Sequence, residues 1–323
     1  MRFLCTWAGL LLLSPPAMPG QEAGGSGPNS DPLTFVNKGV ADNAKGDYAG
    51  ALDSFNRALE LNPSDPAAFE GRGEMHLAQE DLADAIADFT KALAIEPEDE
   101  TSLYLRAVAE TKTGDFPSAI ADANKALQSG PLAPGETLQI YLQRGRAKLC
   151  QGDDTGAITD ADEVLKLQPN APAALFLRGV AENAGAHAPA ASADFAQAAA
   201  GRLPEAALWF WLAQMDAHAP DEASAQLPAL LAAAEHGHPD AWLNELGDLL
   251  QQKTTSEQVV SDLPNAGKNR VKAEQGWFFL GVAREFSHDT AGAKDAYGHV
   301  ATIGAPDSFR VVEARRRLKI LSS

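Results

Sequence analysis

Cysteine is almost missing from this sequence, which holds only Cys5 and Cys150 in its 323 residues. Cys5 lies in an apolar stretch at the N-terminus, so export would leave Cys150 alone, and a lone thiol excludes an internal disulfide. Aromatic side chains make up only 7%, which favours helices packed through small residues over a sheet-based core. Positive charge is short as well: 26 Lys and Arg stand against 44 Asp and Glu, a net charge of -18. That balance excludes nucleic acid and an anionic membrane surface as the main partner, and most of it is read as solvated exterior. Long apolar runs are lacking. Phe3 to Leu13, interrupted by Thr6, falls well under the ~20 residues of a spanning helix, so membrane association is expected to be indirect only.

That run follows Arg2 and is broken by Ser14-Pro15-Pro16, the pattern of a secretory signal over residues 1–20 with Ala17, Gly20 and Ala23 as candidate cleavage points. Residues 21–31, rich in Gly, Ser, Pro and Asn, read as a flexible linker. No cysteine directly follows the apolar run, so the exported chain is expected not to be a lipoprotein. Catalytic signatures are absent too. There is no Gly-x-x-x-x-Gly-Lys-Ser/Thr phosphate loop, His-Glu-x-x-His zinc helix or Gly-x-Ser-x-Gly nucleophile turn. Glu235-His236-Gly237-His238 lacks further ligands and reads as a polar turn ending at Pro239, not as a metal site. The expectation is a protein that is not an enzyme, with no catalytic residue, metal, cofactor or small-molecule substrate.

What the chain does contain is a repeat. Pro63, Pro97 and Pro131 lie 34 residues apart, each closing a near-identical phrase that begins at Ala51, Ala85 or Ala119. Pro169 ends a fourth copy after an insertion at Leu132–Gly135, and Pro204 a fifth, one residue late. Stacking the copies aligns Gly39, Gly73, Ala107, Gly145 and Gly179 on a first helix. Ala51, Ala85, Ala119, Ala157 and Ala191 align on a second, followed seven residues later by Ala58, Ala92, Ala126, Val164 and Ala198. Only small side chains let two helix axes approach to ~8 Å. Phe35, Phe69, Leu103, Tyr141 and Leu175, with Phe55, Phe89 and Phe195, supply the bulk between them, and Gly46-Asp47, Gly114-Asp115 and Gly152-Asp153 mark the turns.

One residue before the small position, Arg72, Arg106, Arg144 and Arg178 each have an Asp sixteen residues on: Asp88, Asp122, Asp160 and Asp194. The first copy has Lys38 and Ser54 there, and a late copy Leu280 and Ala296. The two types change together, so each Arg is expected to reach across its own helix pair to its Asp. Cys150 is expected to be a buried structural thiol.

The period and pattern resemble those of the tetratricopeptide repeat (TPR) family. The resemblance implies an all-α fold: a helix-turn-helix solenoid, a right-handed superhelix, with a C-terminal capping helix. Five repeats would occupy residues 32–204, divergent helical pairs 205–265, and a sixth repeat (Trp277, Gly281, Ala293, Tyr297, Val300) with the capping helix 266–323. The last helix, Phe309 to Leu321, carries Arg310, Arg315, Arg316, Arg317 and Lys319 and is expected to cover the final open edge with a polar face. Where the family often has an aromatic, three residues after the small position, this chain has Asp42, His76, Glu110, Lys148 and Glu182. First helices of such a superhelix line its concave side. The expected protein-binding groove is therefore Val36, Val40, Leu77, Tyr104, Val108, Leu142, Arg146, Phe176 and Val180, mostly apolar and suited to peptide or helix segments of other proteins.

The segment Ala207-Leu-Trp-Phe-Trp-Leu-Ala-Gln214, the stretch Trp242–Leu263 and Trp277-Phe-Phe-Leu-Gly281 are similar to the bacterial periplasmic NlpI-like TPR proteins. That resemblance implies a homodimeric, non-catalytic scaffold that brings a tail-specific protease or cell-wall hydrolase to its clients. The alternative is a structural TPR subunit of an envelope or outer-membrane assembly complex.

Overall fold

The computed structural model describes residues 31–185, 187–235, 240–263 and 269–323, so the expected signal and linker up to residue 30 and the turn at His236–Pro239 lie outside the described residues. Within them the chain is all helix, without a strand. Five pairs come first: α1 (Pro32–Ala44) with α2 (Tyr48–Leu61), α3 (Pro66–Ala78) with α4 (Leu82–Ile95), α5 (Glu100–Thr113) with α6 (Phe116–Ala126), α7 (Pro134–Gln151) with α8 (Asp154–Leu167), and α9 (Pro172–Ala184) with α10 (Ala188–Ala200). Then α11 (Glu205–Asp216) pairs with α12 (Pro220–Glu235), α13 (Ala241–Leu250) with α14 (Ser256–Asp262) and α15 (Arg270–Phe286) with α16 (Thr290–Ile303), and α17 (Phe309–Leu321) follows.

The boundaries follow from local chemistry. Asp31, Asp65 and Asp99 cap first helices and Asp47, Asp115, Asp153 and Asp289 cap second ones, each accepting from a backbone N–H of the first turn. Gly46, Gly114 and Gly152 take φ of 78°, 89° and 92° in the turns between paired helices, where a Cβ would be strained. Glu80 holds the same place in the second repeat at φ 64°.

The crossings are built from glycine against an aromatic ring. A Cβ on Gly39, Gly73, Gly179 or Gly281 would come within 2.7, 2.9, 2.8 and 2.6 Å of Phe55, Phe89, Phe195 and Tyr297 respectively. The α15–α16 pair therefore uses the same crossing as the early repeats.

The last helix does more than close an edge. Expected to turn a polar face to solvent, α17 instead buries Val311, Glu313, Ala314 and Arg317 and packs on α7 and α15 as well as on α16. Carboxylates on the helices it meets draw its arginines inward, and of those cations Arg315 and Lys319 stay exposed.

Glu80→Gly should stabilise the protein by about 1 kcal/mol, since glycine relieves the left-handed strain. Gly114→Ala should destabilise it by a similar amount. Urea midpoints of the two variants against the parent test both signs.

Candidate functional site

Two registers of residues recur along the first helices. One runs Val36, Glu70, Tyr104, Leu142, Phe176 and the other Val40, Glu74, Val108, Arg146, Val180. Val36 and Val180 are buried, at 7% and 0% exposure, which removes them from the expected binding surface. Val36 belongs to the core of the first two repeats and Val180 to that of the C-terminal half. Val40 is exposed at 45%. Leu77, Tyr104 and Val108 are half-buried, Leu77 against the cluster of Ala85, Phe89 and Ala109 and Tyr104 against that of Leu103 and Ile140.

The centre of the expected groove is already occupied by the chain's own C-terminus. Phe309 lies 5.9 Å from Phe176, ring to ring, and the Arg146 guanidinium sits 5.0 Å over the Phe309 ring. Asp307 pairs with Arg146 at 3.4 Å, and Pro306 abuts Gly114. Phe176 also meets Phe195 and Trp209 edge-on at 5.6 and 5.7 Å, and Leu142 packs between two core clusters. Leu142 and Phe176 are thus packing residues and Arg146, still partly exposed, is engaged by Asp307 and Phe309, so Phe176→Asp would unsettle the fold. Trp209 is fully buried and stacked on Phe278 at 5.2 Å.

Ion pairs, buried or partly buried, fasten this fold-back. Arg310 bonds Glu205 and, at 2.9 Å, Glu274. Arg316 reaches Asp154 at 3.2 Å. Arg317 pairs with Asp216, with Glu285 at 3.1 Å and with Glu313 at 2.8 Å. Burial alone would raise the Glu205 carboxyl, but Arg310 holds it below its ordinary range.

Two residues of the groove register were missing from the expected set. Glu70 and Glu74, both half-buried, stand 34 residues from Val36 and Val40, so the period alone could have found them. Ser102 donates to Glu70 at 2.8 Å. Burial and then Asp99 push the Glu70 carboxyl up, and burial does the same for Glu74. Cys150 is half-buried rather than buried, and burial pushes its thiol up to about 12, so little thiolate forms at neutral pH. Among the described residues no three His, Cys, Asp or Glu side chains converge as metal ligands, and no helix is long and apolar enough to cross a membrane.

The Arg–Asp ladder is continuous. Arg72, Arg106, Arg144 and Arg178 each make a two-point bond to Asp88, Asp122, Asp160 and Asp194 with N–O distances of 2.6–2.9 Å. Each also uses its remaining amino group on the preceding second helix, reaching Asn56, Thr90, Asn124 and Asp162 at 2.7–3.1 Å. That link between repeats left no sign in the pairwise covariation. In the first repeat Lys38 donates to Ser54 at 2.9 Å. Beside the ladder, burial and then Asp122 push Glu110 up to about 7. Asp88→Ala should cost about 3 kcal/mol by stranding Arg72, whereas Arg72→Leu with Asp88→Ala should recover most of it, as the Leu280/Ala296 pair does natively. Urea unfolding of the two variants decides this, and an equal loss in both would refute it.

Residues 38–100 and 77–134 match a tetratricopeptide repeat family model. No curated protein sequence matches the chain. Among solved structures it is similar to a tetratricopeptide repeat protein from Parabacteroides merdae, at 16% identity over 90% of this chain and 99% of that one, with a TM-score of 0.57. It is also similar to pilF of Pseudomonas aeruginosa (16% identity, 71% of this chain and 100% of that one, TM-score 0.55). PilW, described as a widely conserved type IV pilus biogenesis factor, matches at 21% identity over 61% of this chain and 92% of its own, with a TM-score of 0.54. At these identities the likeness is one of fold. The tetratricopeptide repeat is thus matched in sequence over residues 38–134, and the all-α helical array of the same fold continues beyond it.

Proposed function

We propose that this chain is an exported, non-catalytic adaptor that docks other proteins on the part of its concave face formed by α1 and α3. The observation that carries this reading is the C-terminal fold-back, which fills the face over α7, α9 and α11 and packs on neither α1 nor α3. Val40, Leu77, Glu70 and Glu74 line that remaining part. An apolar and acidic surface complements a segment that carries Lys or Arg beside an apolar residue. A cation arriving at Glu70 replaces the proton that burial and Asp99 favour there.

Export rests on the signal-like residues 1–20. A periplasmic address, homodimerisation and a role in delivering clients to a protease or hydrolase rest on the resemblance of residues 207–281 to the NlpI-like proteins. The second reading, a structural subunit of an envelope assembly, is favoured by the description of PilW as a pilus biogenesis factor.

The test is affinity capture of the tagged protein from its native envelope, identification of partners by mass spectrometry, and titration of the purified partner. Val40→Asp and Glu74→Lys should each weaken binding at least about tenfold with unchanged circular dichroism. Unchanged affinity for both would move the site off this face. Glu70 also sets a pH dependence. Its carboxyl is raised in the fold, so its contribution to stability is present below the ordinary carboxylate range and is lost as pH rises through the raised value. Partner binding runs the other way, strengthening from about pH 6 to about pH 8.5 as the proton leaves. Glu70→Gln should flatten both profiles and raise the melting temperature at the alkaline end.

A further inference from the structure

A cleft of about 340 Å³ lies where α11, α13 and α15 end and α12 and α14 begin, a volume within the range of ligand sites. Trp211 and Met215 from α11, Leu249 and Leu250 from α13, and Ala283 and Phe286 from α15 form its apolar walls. Serine hydroxyls and glutamine amides complete the lining, Ser287 and Gln251 among them. In a chain that is 22% charged, none of the lining residues is ionisable.

Trp211 is 3% exposed, and its indole Nε1–H has no acceptor among the described residues. Buried donors are rarely left unmet, because the lost hydration is not recovered. The nitrogen itself is closed to solvent, so an acceptor reaches it only as the side chains around it give way. Phe286 meets Trp211 edge-on at 5.7 Å, and Arg317, outside the cleft, holds the Phe286 ring at 5.9 Å. Three helix C-termini at the border add carbonyls of partial negative charge. These favour N–H donors and disfavour a carboxylate, while apolar walls without a counter-charge disfavour Lys or Arg. A peptide unit fits both demands: its C=O meets the indole and its N–H meets a terminal carbonyl.

We propose that this cleft binds an uncharged, extended segment of a partner polypeptide, whose backbone carbonyl accepts from Trp211 and whose apolar side chain packs on Phe286 and Leu250. The site is separate from the α1–α3 face and does not depend on it.

The experiment labels the tryptophan indoles of the protein with 15N and titrates the blocked peptide acetyl-Leu-Leu-methylamide. The Trp211 signal is identified by its loss in Trp211→Phe. It should move saturably, in the millimolar range of so small a contact, while the Trp209 and Trp277 signals stay. Acetyl-Glu-Glu-methylamide should leave it in place. Ser287→Glu, at an exposed position of the lining, should weaken the leucine peptide at least about fivefold. The shift should persist in Val40→Asp, so failure at one surface is distinguishable from failure at the other. A stationary Trp211 signal, an equal shift with the glutamate peptide, or loss of the shift in Val40→Asp would overturn the assignment.

Discussion

Paired helices in this molecule cross where a small residue faces a side chain sixteen positions later. Gly39 on Phe55, Gly73 on Phe89, Gly179 on Phe195 and Gly281 on Tyr297 leave no room for a Cβ. Elsewhere the volume is redistributed. Ala107 stands opposite the smaller Ala123, and at Gly145, opposite Ala161, the next repeat's Leu177 moves in to 2.8 Å from where a Cβ would be. A glycine or alanine at each crossing lets the two helix axes approach closely. Close pairs of this kind are the units that successive repeats stack into an array.

The ladder sits one residue away from that crossing and inherits its geometry. Because Gly73 faces Phe89, Arg72 faces Asp88, and the guanidinium is aligned for a two-point bond. Such a pair need not add net stability, since desolvating both charges offsets much of the attraction. Leu280 and Ala296, both fully buried at the same place, show an apolar alternative working in this chain. What the arginine adds is the third contact, from Arg72 to Asn56 or from Arg178 to Asp162. It ties each repeat to the one before and so favours a single stacking register.

Local and periodic features were legible in the sequence. The 34-residue spacing carried the helix pairs through α10, and Gly281 with Tyr297 revealed the late α15–α16 pair. The contacts that engage Phe176 and Arg146 were not legible, because Asp307 and Phe309 are more than a hundred positions away and belong to no repeat. No period relates them. The basic last helix misled for a related reason. Arg310, Arg316 and Arg317 look like a solvated face until Glu205, Asp154 and Asp216 are known to lie opposite.

The fold-back also limits where a partner can bind. Arg317 joins α17 to α11 through Asp216 and to α15 through Glu285, while Asn183 of α9 donates to Asp216 and Tyr297 of α16 to Glu285. Five helices meet in one buried polar network, and removing any member would strand charges out of water. A partner could not exchange with α17 there without bearing that cost, so the central concave face is closed to competition. Surfaces that remain lie toward the two ends of the array. One offers carboxylates beside an exposed valine, the other an uncharged cleft with a spare indole donor. Their chemistries are unlike, so a segment suited to one is disfavoured at the other.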